Sequence, residues 1–74
     1  MTLREYISSL DKDAAAAFAA RCKISINYLR LHVKYASKDP SVGLMRALAR
    51  ESDGNVRLED VLVHFGLVPH PEAA

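Results

Sequence analysis

The side chains able to do chemistry are spread unevenly along the chain, and the cations most unevenly of all. Between residues 21 and 50 stand Arg21, Lys23, Arg30, Lys34, Lys38, Arg46 and Arg50 against the single acid Asp39, a balance of +6. Residues 1–20 carry Arg4 and Lys12 against Glu5, Asp11 and Asp13, or −1. Residues 51–74 carry Arg57 against Glu51, Asp53, Glu59, Asp60 and Glu72, or −4, and the three segments add to the net charge of +1. Positive charge concentrated in this way suits a polyanionic partner at one face. Its ordinary alternative is a solvated helical surface, which Lys and Arg commonly cover.

The other reactive types point elsewhere. His32, His64 and His70 lie far apart, with no Cys or carboxylate at zinc-like spacing around them, so no metal is expected. Cys22 is alone and cannot close an internal disulfide; without a nearby base it reads as a small buried apolar group, not a nucleophile. Asp11, Asp13, Glu59 and Asp60 have helix-capping explanations that compete with any general acid–base role. No glycine-rich phosphate loop is present. An enzyme is therefore not expected, nor a cofactor or small-molecule substrate.

These residues must be positioned by a small helical scaffold. Seventy-four residues make one domain at most, since a chain of this size buries only about 60% of its unfolded surface. A core so small often gains stability by pairing with a second copy. The N-terminus Met1-Thr2-Leu3-Arg4-Glu5 lacks the apolar stretch of a secretion signal, and no apolar run approaches the roughly 20 residues that cross a bilayer. A cytoplasmic protein without a membrane span is expected.

Thr2-Leu3-Arg4-Glu5 is a capping box, and Leu3, Ile7 and Leu10 form an apolar stripe, so helix 1 is placed at 2–10. Asp13 can cap a second helix through the alanine run to Arg21. Ser25 offers the next N-cap, with helix 3 following from Ile26 to Lys34 after a short turn. Pro40-Ser41 opens helix 4, about 41–52, with Leu44, Met45 and Leu48 on one face and Gly54 suited to a left-handed stop. Helix 5 begins near Arg57 or Leu58, buries Leu58, Val61, Leu62 and Phe65, and ends at Gly66. Residues 67–74, with Pro69 and Pro71, are expected to be an extended tail after a domain spanning 1–66.

The segment Phe18-Ala19-Ala20-Arg21-Cys22-Lys23-Ile24-Ser25-Ile26-Asn27-Tyr28-Leu29 resembles the helix-turn-helix of Cro/CI-type phage and bacterial regulators. In that family an apolar residue and an alanine end the first helix, and an apolar residue with Ser or Thr opens the second. The similarity is greatest to YdaS-like members, through Tyr28-Leu29, the basic loop Lys34 to Lys38, Pro40, Leu44 to Arg50, and Asp53-Gly54-Asn55-Val56. It covers roughly residues 2–62. Two positions depart from it: the family often has Gly where Lys23 stands, and Gln where Ala14 stands. A left-handed backbone at Lys23 would cost on the order of 1 kcal/mol.

The resemblance implies an all-α, five-helix, Cro/CI repressor-like domain whose helix 3 enters the major groove of an operator in double-stranded DNA. Ile26, Asn27, Arg30 and Leu31 would then face the bases: Asn27 on adenine, Arg30 on guanine, Ile26 or Leu31 on a thymine methyl. Lys23, Ser25, Lys34 and Lys38 would hold phosphates. The implied function is a transcriptional regulator, a repressor or switch protein of phage or prophage type, acting as a homodimer. The acidic C-terminal segment leaves helix 5, with Val61, Phe65, Leu67 and Val68, as the dimer surface. Ile26, Arg30 and Leu31 equally suit a protein partner, so the alternative is a YdaS-like antitoxin or inhibitor using the same helical face.

Overall fold

A reciprocal cap opens the chain. The Glu5 N–H donates to Thr2 Oγ1 at 3.1 Å and the Thr2 N–H donates to Glu5 Oε1 at 2.9 Å, which starts α1 (Leu3–Ser9). The computed structural model describes residues 1–69. After α1 come α2 (Lys12–Arg21) and α3 (Ile26–Tyr28), which runs on without a break into a π-helical turn (Leu29–Val33). Then follow α4 (Val42–Arg50) and α5 (Leu58–His64), with no strand among the described residues. The fold is all-helical, and among the described residues no helix is long and apolar enough to cross a membrane.

The helix starts follow from short polar side chains. Asp11 accepts from the Ala14 N–H at 2.7 Å, Ser25 from Tyr28 at 3.0 Å and Ser41 from Leu44 at 3.0 Å, each cap contributing about 1 kcal/mol. The second helix therefore starts two residues earlier than the expected Asp13 cap. Asp11 has the extended backbone that aims its carboxylate at the exposed first turn, and Asp13 sits within that turn.

Three helices stop in the same way. At the end of α2, Lys23 N–H donates to Ala20 O and Ile24 N–H to Ala19 O, both at 3.0 Å, around a left-handed Lys23 (φ +61°). After the π turn, Ala36 N–H donates to Val33 O and Ser37 N–H to His32 O around a left-handed Ala36 (φ +52°). After α5, Gly66 N–H donates to Val63 O and Leu67 N–H to Leu62 O around a left-handed Gly66 (φ +72°). This pattern satisfies the last carbonyls of a helix but forces one residue into a region that only glycine enters freely.

The core gathers the apolar stripes of all five helices. Phe18, Leu3, Leu29 and Leu48 are fully buried, and Val33, Val56 and Val61 nearly or wholly so. Tyr6 meets Phe18 edge to face, with ring centroids 5.3 Å apart. Ala15 and Ala19 are buried on α2 and Ala47 on α4, small residues that let helices approach closely. Ser52 is the one buried polar side chain among the described residues. Its hydroxyl accepts from the Val56 N–H at 3.0 Å and donates to Ala49 O at 2.8 Å, so the α4–α5 turn is tied to α4 without an unsatisfied group.

Val61 is fully buried, which corrects its expected place on a dimer surface: it faces the protein's own core because it continues the inward stripe of α5. Phe65 is half-buried against that core. Leu67 is exposed and Val68 half-buried. Of the tail expected over 67–74, residues 70–74 lie outside the described residues, as does His70.

Candidate nucleic-acid interface

The helix that begins at Ser25 is fastened from below and free above. Leu29 and Val33, four residues apart, are buried and anchor it to the core, so the residues between them turn outward. Asn27 and Arg30 are exposed, and Leu31 presents 60% of its surface to solvent. Ile26 is half-buried and packs against the core, so only part of its side chain faces outward. Lys23, Ser25 and Lys38 are exposed and Lys34 is half-buried. Nothing in the described chain covers Asn27 or Arg30.

Electrostatics separates these cations from the rest of the basic segment. Among the described residues the ion pairs are Arg21–Glu51 at 3.4 Å, Arg50–Glu51 at 2.8 Å and Arg57–Asp60 at 3.7 Å. Arg21 also donates to Glu51 O at 3.2 Å. Arg21 and Arg50 are thus held by one carboxylate, and the +6 of residues 21–50 is not all free. Lys23, Arg30, Lys34, Lys38 and, on α4, Arg46 form none of those pairs, and no acid occurs between Asp13 and Asp39. Their field is uncompensated locally and would attract an anion.

The π turn was not legible in the sequence. Lys34 N–H donates to Leu29 O, five residues back, at 2.9 Å, a wider turn than α-geometry makes. The Lys34 ammonium comes to lie over the Tyr35 ring at 5.5 Å, with the Arg4 guanidinium of α1 at 5.0 Å from the same ring. The helix end is then clamped to α5, where His64 Nε2 lies 2.6 Å from Val33 O. A carbonyl only accepts, so Nε2 carries the proton in that contact.

The remaining candidates take structural roles. His32 meets Tyr28 edge to face at 5.1 Å and bonds to Ser37 Oγ at 2.9 Å, and no three metal-binding side chains cluster among the described residues. Burial, with the Glu51 charge behind it, pushes the Cys22 thiol up to about 11, which is wrong for a nucleophile. The two hydrogen bonds from Thr2 hold the Glu5 carboxyl below the ordinary range, as a cap requires. An open cleft of about 620 Å³ separates the α2–α3 turn from the start of α4. Lys23, Arg21 and Arg50 border it together with Asp39, a mixed lining less suited to an anion than the outer face of the Ser25 helix.

No family model matches this chain, and no curated protein or solved structure is similar enough to match it.

Proposed function

We propose that this protein is a sequence-specific DNA-binding transcriptional regulator of the Cro/CI repressor type, a cytoplasmic homodimer whose Ser25 helix reads the major groove of an operator. One observation carries this reading. Asn27 and Arg30 are exposed on a helix fixed from beneath by Leu29 and Val33, and Lys23, Arg30, Lys34 and Lys38 around them lack carboxylate partners among the described residues. Asn and Arg are the two side chains whose paired hydrogen bonds distinguish adenine and guanine in the major groove. The surrounding cations would set register on the phosphates, with Ser25 as a further donor.

The test is selection of duplexes from a random pool, followed by fluorescence anisotropy on the selected sequence. Binding should weaken steeply with salt. Asn27→Ala and Arg30→Ala should each reduce the preference for selected over random duplex by about 1–3 kcal/mol. Because both residues are exposed, thermal stability should stay within about 0.5 kcal/mol of the parent. A pool that yields no preferred sequence would overturn the reading, as would binding indifferent to salt.

A further inference from the structure

The outer face of the Ser25 helix carries more apolar surface than contact with a base edge needs. Leu31 is 60% and Tyr35 55% exposed. Both line an open trough of about 390 Å³ between that helix and α1, together with Ile7, Leu10, Arg30 and Lys34. Ser8 completes the lining, so apolar and polar side chains share it, and cations stand at its edge: Arg4 and Lys34 lie 5.0 and 5.5 Å from the Tyr35 ring, and Arg30 borders the trough. None of these three cations takes part in the ion pairs found among the described residues. The exposed Leu31 and Tyr35, with Arg30 and Lys34 in the same lining and Arg4 beside the Tyr35 ring, make a surface of apolar contacts flanked by cations, to which an oppositely charged amphipathic surface is complementary. That surface is an amphipathic helix with apolar residues at i, i+3, i+4 and i+7 and carboxylates flanking them.

We infer that this trough docks an acidic amphipathic helix of another protein, and that the docked helix excludes DNA by occupying Leu31, Arg30 and Lys34. Leucine or phenylalanine side chains enter between Ile7, Leu10, Leu31 and Tyr35. Glutamates or aspartates pair with Arg4, Arg30 and Lys34. Tyr35, with Arg4 beside its ring, is outside the proposed DNA contacts, whereas Arg30, Leu31 and Lys34 are shared with the proposed base-reading and phosphate-binding set. The exclusion of DNA rests on the DNA-binding reading above; the docking does not.

The probe is a synthetic helical peptide with leucines at i, i+3, i+4 and i+7 and glutamates on both flanks, labelled and titrated with the full-length chain. Saturable binding is expected. Leu31→Ala combined with Tyr35→Ala should weaken it about tenfold or more, with an unchanged helical circular-dichroism spectrum showing that both variants of an exposed surface still fold. Lys38→Ala should leave peptide binding intact. A peptide with lysine in place of each glutamate should not bind. Absence of saturable binding by the acidic peptide overturns the docking, as does equal binding to the double variant or by the lysine peptide. Competition is read separately: the acidic peptide should displace a selected duplex, and simultaneous binding of both overturns the exclusion. A chain that binds the peptide but no duplex refutes the DNA-binding reading and leaves the docking standing.

Discussion

Lys23 and Ala36 hold left-handed backbones at φ +61° and +52°, and each pays about 1 kcal/mol for a side chain in a region where Cβ crowds the following carbonyl. Glycine at either place removes that strain, although its greater freedom in the unfolded chain takes back part of the gain. Ala36→Gly is therefore expected to stabilise by roughly 0.5–1 kcal/mol, raising the melting temperature by about 2–8 °C for a domain of this size, as calorimetry would show. Lys23→Gly should stabilise similarly but weaken duplex binding, since it deletes a cation from the proposed phosphate set. The strain at Lys23 was legible, because the turn that resembles the Cro/CI helix-turn-helix calls for glycine there. That at Ala36 was not, for nothing in Lys34-Tyr35-Ala36-Ser37 marks a helix stop. Cys22 gives a pH signature. Its folded-state thiol lies near 11, above the ordinary value, so the native state keeps a proton that the unfolded chain gives up. That contribution is fully present below the ordinary thiol range and is lost as pH rises through it toward 11. At pH near 8, native Cys22 should be alkylated at least about a hundredfold more slowly than in denaturant, because the thiolate is the reacting species. Similar rates in both conditions would contradict its burial.

At the scale of elements, the helices announce themselves through their caps and stripes, and four of the five N-termini carry the short polar side chain that the pattern demands. The joints between helices are less visible. Ser52 looks like one of a run of turn residues, yet its fully buried hydroxyl accepts from Val56 and reaches Ala49 O. Ser52→Ala would strand the Val56 N–H in the core and is expected to cost about 1–3 kcal/mol, measured by urea denaturation. The π turn is invisible for a different reason: Leu29 and Val33, four residues apart, share a face in ordinary α-geometry as well, so their spacing does not mark the wider turn. His64 closes that joint through its contact with Val33 O at 2.6 Å. His64→Ala should release the end of the Ser25 helix, seen as faster amide hydrogen exchange at Lys34, Ala36 and Ser37 than at α2. Operator binding should weaken as well, though His64 touches no proposed DNA contact.

At the scale of the whole molecule, the segment-by-segment charge count in the sequence is reduced once Arg21 and Arg50 are drawn off by Glu51. Of the cations in residues 21–50, Lys23, Arg30, Lys34, Lys38 and the exposed Arg46 stand outside the ion pairs found among the described residues, while of the acids in residues 51–60 Glu51 and Asp60 are paired, which leaves Asp53 and Glu59. Under the proposed DNA-binding reading, a duplex would be attracted to the basic segment before contact. The sequence pattern put Val61 on a pairing surface, whereas it is fully buried, since amphipathic spacing alone does not say whether an apolar stripe faces its own core or a second copy. With Val61 inside, the exposed Leu67, the half-buried Leu62, Phe65 and Val68, and Leu58, which was expected to be buried but is exposed, are what α5 and its end can offer a partner. The salt dependence of duplex binding distinguishes one copy from two. Each neutralised phosphate contributes a slope of about −0.9 in the logarithm of affinity against the logarithm of salt concentration. Three phosphate-binding lysines then predict about −3 for a monomer and about −5 for a dimer engaging two half-sites. A slope near −5 that falls to near −3 on a half-site duplex is the expected result. Equal slopes on both would mean that a single copy binds and that the end of α5 pairs with nothing on DNA.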